Sequence, residues 1–181
     1  LLDAVVRYLP SPLDVPPMVG ENPKKEGEEE RPPDPQAPFC ALAFKVASDR
    51  FVGQLTYMRV YSGSAKQGDR VLNADTGKRE RLSKILRMHA NGREEIEAVG
   101  PGDIVAAVGL DQTTTGDTLC AVNAPIVLER ITFPEPVISM VVEPRSQADE
   151  ERLNEALARL QMEDPTLRVE VDRETGQQLL S

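Results

Sequence analysis

Apolar and polar positions alternate in three different ways along this chain. Residues 1–9 set Leu1, Leu2, Val5, Val6 and Leu9 on one helical face, and Pro10 and Pro12 then stop the helix. A helix this short does not stand alone, so it is expected to be the tail of a helix belonging to a preceding domain. Residues 10–38 hold nine prolines and the run Glu26-Gly27-Glu28-Glu29-Glu30, a pattern that predicts an extended, solvated linker with little to bury.

Residues 39–122 read as β. Strands are predicted over Phe39–Val46, Val52–Tyr61, Arg70–Ala74, Ile104–Val108 and Leu119–Val122, punctuated by Ser62-Gly63, Asp75-Thr76-Gly77, Pro101-Gly102-Asp103 and Thr115-Gly116-Asp117. Short strands with such regular turn signals suggest a closed barrel or a sandwich. Residues 81–91 fit two templates. Leu82, Ile85, Leu86 and His89 form a helical face, whereas Leu82, Lys84, Leu86 and Met88 lie on one side of a strand; the all-β surroundings favour strand.

From about residue 131 the character changes. Val137–Val142 is an apolar strand, Ser146 to Asp149 resembles a capping box, and a helix follows to about Glu163 with Leu153, Ala156, Leu157 and Leu160 as its buried stripe. Pro165 ends it. Strands are predicted at Leu167–Val171 and Gln177–Ser181, giving the order β-α-β-β. A βαββαβ unit would need one more helix and strand, so a truncated unit is expected. Its sheet has one helix where two normally cover it, so residues 137–181 are expected to be less ordered than the barrel or covered by another chain.

Composition narrows the chemistry. The 181 residues are 40% apolar and 4% aromatic, and no apolar run reaches the length of a membrane span. The start lacks Met, a basic region and a cleavage signal, so no secretory peptide is expected. Cys40 and Cys120 cannot form a disulfide framework, and with the single His89 they cannot supply a four-ligand zinc site. They read as reduced thiols on strands of a cytoplasmic protein. Thr76-Gly77-Lys78 lacks the upstream glycine and the hydroxyl residue of a phosphate loop, since Leu72 and Arg79 stand in those places. Neither His89 nor the acidic pair Glu94-Glu95 has the companions needed for catalysis.

Charge is more informative when divided by region. The net charge of −9 splits into −4 over residues 1–36, +1 over 37–125 and −6 over 126–181. Within residues 78–93, Lys78, Arg79, Arg81, Lys84, Arg87 and Arg93 accompany one acid, Glu80. On a strand pair these cations would line a basic ridge, which Arg50, Arg59 and Lys66 could extend, with Ser62 and Ser64 supplying hydroxyls. Phosphate recognition needs such dispersed cations. The few aromatic residues fit a core better than base stacking, so a folded RNA is the expected partner rather than a single strand.

Long blocks of this sequence resemble bacterial-type elongation factor G. LLDAVVRYLPSPLDVPP at 1–17 is similar to the end of that family's GTPase domain and the linker after it. FKVASDRFVGQLTYMRVYSG at 44–63, RERLSKILRMHANGREEIEAVGPGDIVAAVGL at 79–110 and TGDTL at 115–119 are similar to its second domain. PEPVISMVVEP at 134–144, ALARLQMEDPTLRV at 156–169 and ETGQ at 174–177 are similar to its third. The resemblance implies a mainly β chain with an α+β part: a translation-factor β-barrel at 37–125, then a partial ferredoxin-like unit at 126–181, after a helix tail and linker at 1–36. It also implies a strand at 79–89 and a hinge near 123–136. The implied role is docking on small-subunit ribosomal RNA and protein while the parent factor, expected to be a monomer, uses GTP and magnesium to move tRNA and mRNA. Nucleotide and metal would act on a GTPase domain outside these residues; neither catalytic residues, membrane nor DNA is expected here. The RNA role is carried onto Arg50, Arg59, Ser62, Lys66, Lys78, Arg79 and Arg81. Alternatives are another translational GTPase, such as a ribosomal protection protein, and a generic protein-interaction barrel.

Overall fold

The computed structural model describes the chain except for residues 26, 50, 91, 130, 145 and 174. A short helix, α1 (Leu2–Tyr8), precedes a hairpin, β1 (Met18–Glu21) and β2 (Glu28–Arg31). The central body runs β3 (Cys40–Asp49), β4 (Gly53–Ser62), β5 (Ala65–Lys66), β6 (Arg70–Asn73), β7 (Arg79–Arg81), β8 (Lys84–His89), β9 (Gly92–Glu95), β10 (Ala98–Val99), β11 (Ile104–Val108), β12 (Thr118–Cys120) and β13 (Val127–Leu128). The last part is β14 (Met140–Val142), α2 (Glu150–Glu163), β15 (Val169–Val171) and β16 (Gln178–Leu180).

The longest ladder joins β3 to β4, where β-branched and aromatic residues suit a pleated surface covered on both sides. Asp49 Oδ1 accepts from the Phe51 and Val52 N–H groups, and Gly53 turns the chain at φ +77°. A register shift between Ala43 and Lys45 leaves Phe44 unpaired, its ring tilted against Tyr57 at 6.4 Å. Strands β7-β6-β12-β3-β4-β11-β8-β9 form one antiparallel sheet. It folds back on itself, because Val71 of β6 and Ile85 of β8 enter the same cluster as Met58, Val105 and Leu119. The wrap is completed by the β5–β10 pair and by bonds such as Gly68 N–H to Leu82 O, not by a closing ladder. Among the described residues, this is where the expected closed barrel differs from the observed sheet.

Within the ambiguous stretch Arg81 ends β7 and Lys84–His89 form β8, paired with β11 and β9, so the single strand expected over 79–89 is two strands broken at 82 and 83. The helical look of β8 has a physical cause. Ile85 packs inward, while the adjacent Leu86 packs outward with Leu55 and Ala106 in a second cluster. A strand covered on both faces loses its alternation.

The expected linker needs correction. Strands β1 and β2 form a hairpin, and β1 also pairs with β13, so Val127–Leu128, within the stretch expected as a hinge, is held in a ladder. Met18, Ile126 and Leu128 pack on Cys40, Leu72 and Cys120. Arg31, only 7% exposed, bonds the Glu29 carboxylate and the Ala124 carbonyl. Proline and glutamate hid this hairpin because its inward positions are few: Met18, Gly20 and Arg31.

In the C-terminal unit β16 lies between β14 and β15, the observed β-α-β-β order. Its predicted stripe is only partly buried. Leu157 is covered, but Ala156 is exposed and Leu160 is 48% exposed; the strand expected from Val137 begins only at Met140, and Val137 is 95% exposed. The capping box is replaced by a side-chain bond from Ser146 Oγ to Asp149 Oδ2, with a single 3₁₀ turn before α2. Amides of β14–β16 are therefore expected to exchange faster with solvent than those of β3, β4 and β11; equal protection would refute that ranking.

Candidate nucleic-acid interface

The β6–β7 hairpin carries the densest unneutralised positive charge, and its geometry starts at the turn. Asn73 Oδ1 accepts from the Asp75 and Thr76 N–H groups, and Gly77 at φ +72° lets the chain reverse. No helix follows, so Thr76-Gly77-Lys78 lacks the strand-loop-helix frame of a phosphate loop. Register then sets Arg70 opposite Arg81 and Leu72 opposite Arg79. Side chains directly opposite share a face, and alternation along β7 puts Arg79 and Arg81 together and Glu80 on the other side. Glu80 accepts from Thr113 Oγ1 at 2.5 Å and Gln112 N–H at 2.7 Å, so it does not neutralise its flanking arginines.

Three exposed arginines thus share one sheet edge. Like charges opposite one another are destabilising, and an anion docked there would relieve the repulsion. Arg81 Nε donates to Gly68 O at 3.0 Å, tying β7 to the turn that bears Lys66. Lys78 Nζ donates to Gln112 Oε1 at 2.6 Å and stays exposed at the hairpin end. Beside the edge lies a shallow groove of about 380 Å³, lined by Arg70, Ser64, Asp69, Asn123 and Phe39 among others.

The remaining cations of the expected ridge are elsewhere. Lys84 pairs with Glu95 at 3.2 Å, Arg87 with Asp103 at 4.0 Å, and Arg93 with Asp49. Arg59 stacks on Tyr61, 5.5 Å from the ring centre. It lies four strand spacings from β7, about 19 Å along the sheet at ~4.8 Å each. Ser62 is fully buried and its hydroxyl has no partner, so it does not face a ligand. Arg50 lies outside the described residues. The sequence reading missed Arg70, whose signal is the cross-strand register, and grouped 78–93 as one ridge although β7 and β9 are opposite edges of the sheet.

The pairing on the β8–β9 side is strong enough to read in titration. The bond from Arg93 holds the Asp49 carboxyl down at about 2, and the hydrogen bond from Lys84 lowers Glu95. Asp49 therefore contributes stability that is fully present above its ordinary value of 3.8 and is lost as pH falls through about 2. Carboxyl NMR is expected to place its midpoint near that lower value, and to return it toward the ordinary one in Arg93→Ala.

Comparison with known proteins places the chain in a family. The model for elongation factor G domain 2 matches residues 38–122, and the model for elongation factor G domain III matches residues 133–181. A crystal structure of a Thermus thermophilus protein matches with TM-score 0.72 and 29% identity, over 99% of this chain and 24% of that one. The chain thus spans about a quarter of the length of that relative. Among the described residues, no helix is long and apolar enough to cross a membrane, and no group of three His, Cys, Asp or Glu could hold a metal ion.

Proposed function

The chain belongs to the elongation factor G family, and from that premise we propose that it is a ribosome-docking part of a translocase. In this reading the β6–β7 edge rests on folded small-subunit ribosomal RNA while the parent factor moves tRNA and mRNA. GTP and magnesium would act in the parent's GTPase domain.

The observation that carries the proposal is the Arg70–Arg81 opposition with Arg79 beside it. A rigid ladder holds the three guanidinium groups on one face, and each presents a planar fork that fits phosphate oxygens. Lys66 and Lys78 extend the positive edge. Among the described residues no aromatic ring stacks on these arginines, which suits recognition of shape and backbone rather than of unstacked bases.

Co-sedimentation with small ribosomal subunits across a salt series tests the reading. Each neutralised phosphate contributes about −0.7 to −0.9 to the slope of log K against log salt, so binding is expected to weaken steeply as salt rises. Binding that ignores salt would instead identify an apolar protein interface. Removing the paired cations, as in Lys84→Ala/Arg87→Ala/Arg93→Ala, is expected to leave affinity within about threefold, since each already has a carboxylate partner.

A further inference from the structure

Cys40 and Cys120 are brought together by the fold in a way that neither the family nor the RNA edge requires. They are register partners on β3 and β12. Ala121 N–H donates to Phe39 O and Ala43 N–H to Asp117 O, so the pairs 39–121 and 43–117 are the hydrogen-bonded ones. Counting inward, Cys40–Cys120 is a non-hydrogen-bonded pair, where Cα atoms lie about 4.5 Å apart and side chains are closest. A disulfide needs a Cα separation of about 4.4–6.8 Å. Both side chains project to the same face, into the cluster with Leu72, Ile126 and Leu128.

We propose that Cys40 and Cys120 are a covered dithiol that closes to a cross-strand disulfide when the β1–β2–β13 flap lifts and a hydrogen peroxide-class oxidant enters. One thiolate sulfur attacks a peroxide oxygen; the O–O bond breaks, the sulfur becomes a sulfenic acid and one water leaves. The second thiol attacks that sulfur, the S–S bond forms and a second water leaves. The thiol pair loses two electrons and peroxide is reduced to two waters.

The flap explains both protection and access. With it closed, both thiols are fully buried. Burial pushes Cys40 up to about 12 and raises Cys120, and a thiol held protonated is a poor nucleophile. The cover is well packed, but the ladder that joins its two parts is short. β13 contributes only Val127 and Leu128, each paired with one β1 residue. On β2, Arg31 is 7% exposed with its Nε unpartnered, and its positive charge favours the thiolate of both cysteines. Gly20 of β1 lies hard against the strand beside it: a Cβ there would meet Val127 O at 2.6 Å and Ile126 Cγ1 at 2.8 Å. Gly20→Ala should therefore wedge the flap away from the thiols.

The test compares wild type and Gly20→Ala by thiol labelling with an aromatic disulfide reagent, then by peroxide treatment and intact mass. Gly20→Ala is expected to label roughly tenfold faster, as local opening becomes easier. Peroxide should then yield a monomer lighter by two hydrogens, and Cys40→Ser and Cys120→Ser should each abolish that product. If Gly20→Ala fails to fold, wild type in urea below its unfolding transition supplies the same comparison. Labelling that tracks only global unfolding would overturn the flap. Peroxide adducts on single cysteines, or crosslinked dimers, without the lighter monomer would overturn the disulfide.

Discussion

An Arg70→Ala/Arg79→Ala/Arg81→Ala variant is expected to bind small ribosomal subunits about 100-fold more weakly than wild type, taking about 1 kcal/mol for each exposed phosphate contact. The slope of log K against log salt should flatten by about 2–3, close to one phosphate per arginine. Folding should be little affected: the three side chains are exposed, and relief of the Arg70–Arg81 opposition across the ladder offsets the lost bond from Arg81 Nε to Gly68 O. An unchanged or slightly raised melting temperature beside lost binding would separate recognition from architecture. Equal pelleting of variant and wild type would remove the β6–β7 edge from the interface. Arg59→Ala serves as an internal contrast, since Arg59 stacks on Tyr61 on β4, four strands along the sheet from β7, and its loss should change binding little.

The parts of this fold that were legible in the sequence are those where one physical signal dominates. The β3–β4 pair announces itself through an apolar run followed by a β-branched and aromatic one, and α2 through its apolar stripe and Pro165. Strand β8 is legible as a strand only from its surroundings, because Ile85 and Leu86 are buried on opposite faces, which mimics a helical pair. The β1–β2 hairpin was hidden because its stability comes from partners about 100 residues away, Val127 and Leu128, which no local pattern announces. The site shows the same division. Arg79 and Arg81 could be placed on one face by alternation alone. The pairing of Arg70 with Arg81 depends on hairpin register, and the neutralisation of Lys84, Arg87 and Arg93 depends on acids delivered by other strands and loops. A count of charges along the chain therefore overstated the ridge.

The basic edge is held from behind by a buried polar chain, and cutting it at Asn73 should cost about 2–4 kcal/mol. Asn73 is fully buried and donates to Asp117 Oδ2 at 2.8 Å; Thr113, beside it, donates to Glu80 between the two arginines of β7. Asn73→Ala removes an amide donor from a carboxylate that is only 9% exposed and takes the acceptor from the turn N–H groups of Asp75 and Thr76. Asn73→Asp keeps the shape but sets a second carboxylate against Asp117. Like charges so close disfavour ionisation, so the new group takes up a proton more readily than a free aspartate. Its folded-state pKa is raised, and the sign follows: the variant should be least stable at neutral pH and recover as pH falls, a trend read by chemical denaturation at two pH values. RNA affinity should fall in Asn73→Ala although every arginine remains, because β7 loses its orientation. If Asn73→Ala melts early yet binds as wild type does, positive charge alone suffices at this edge, and the ladder behind it matters only for folding.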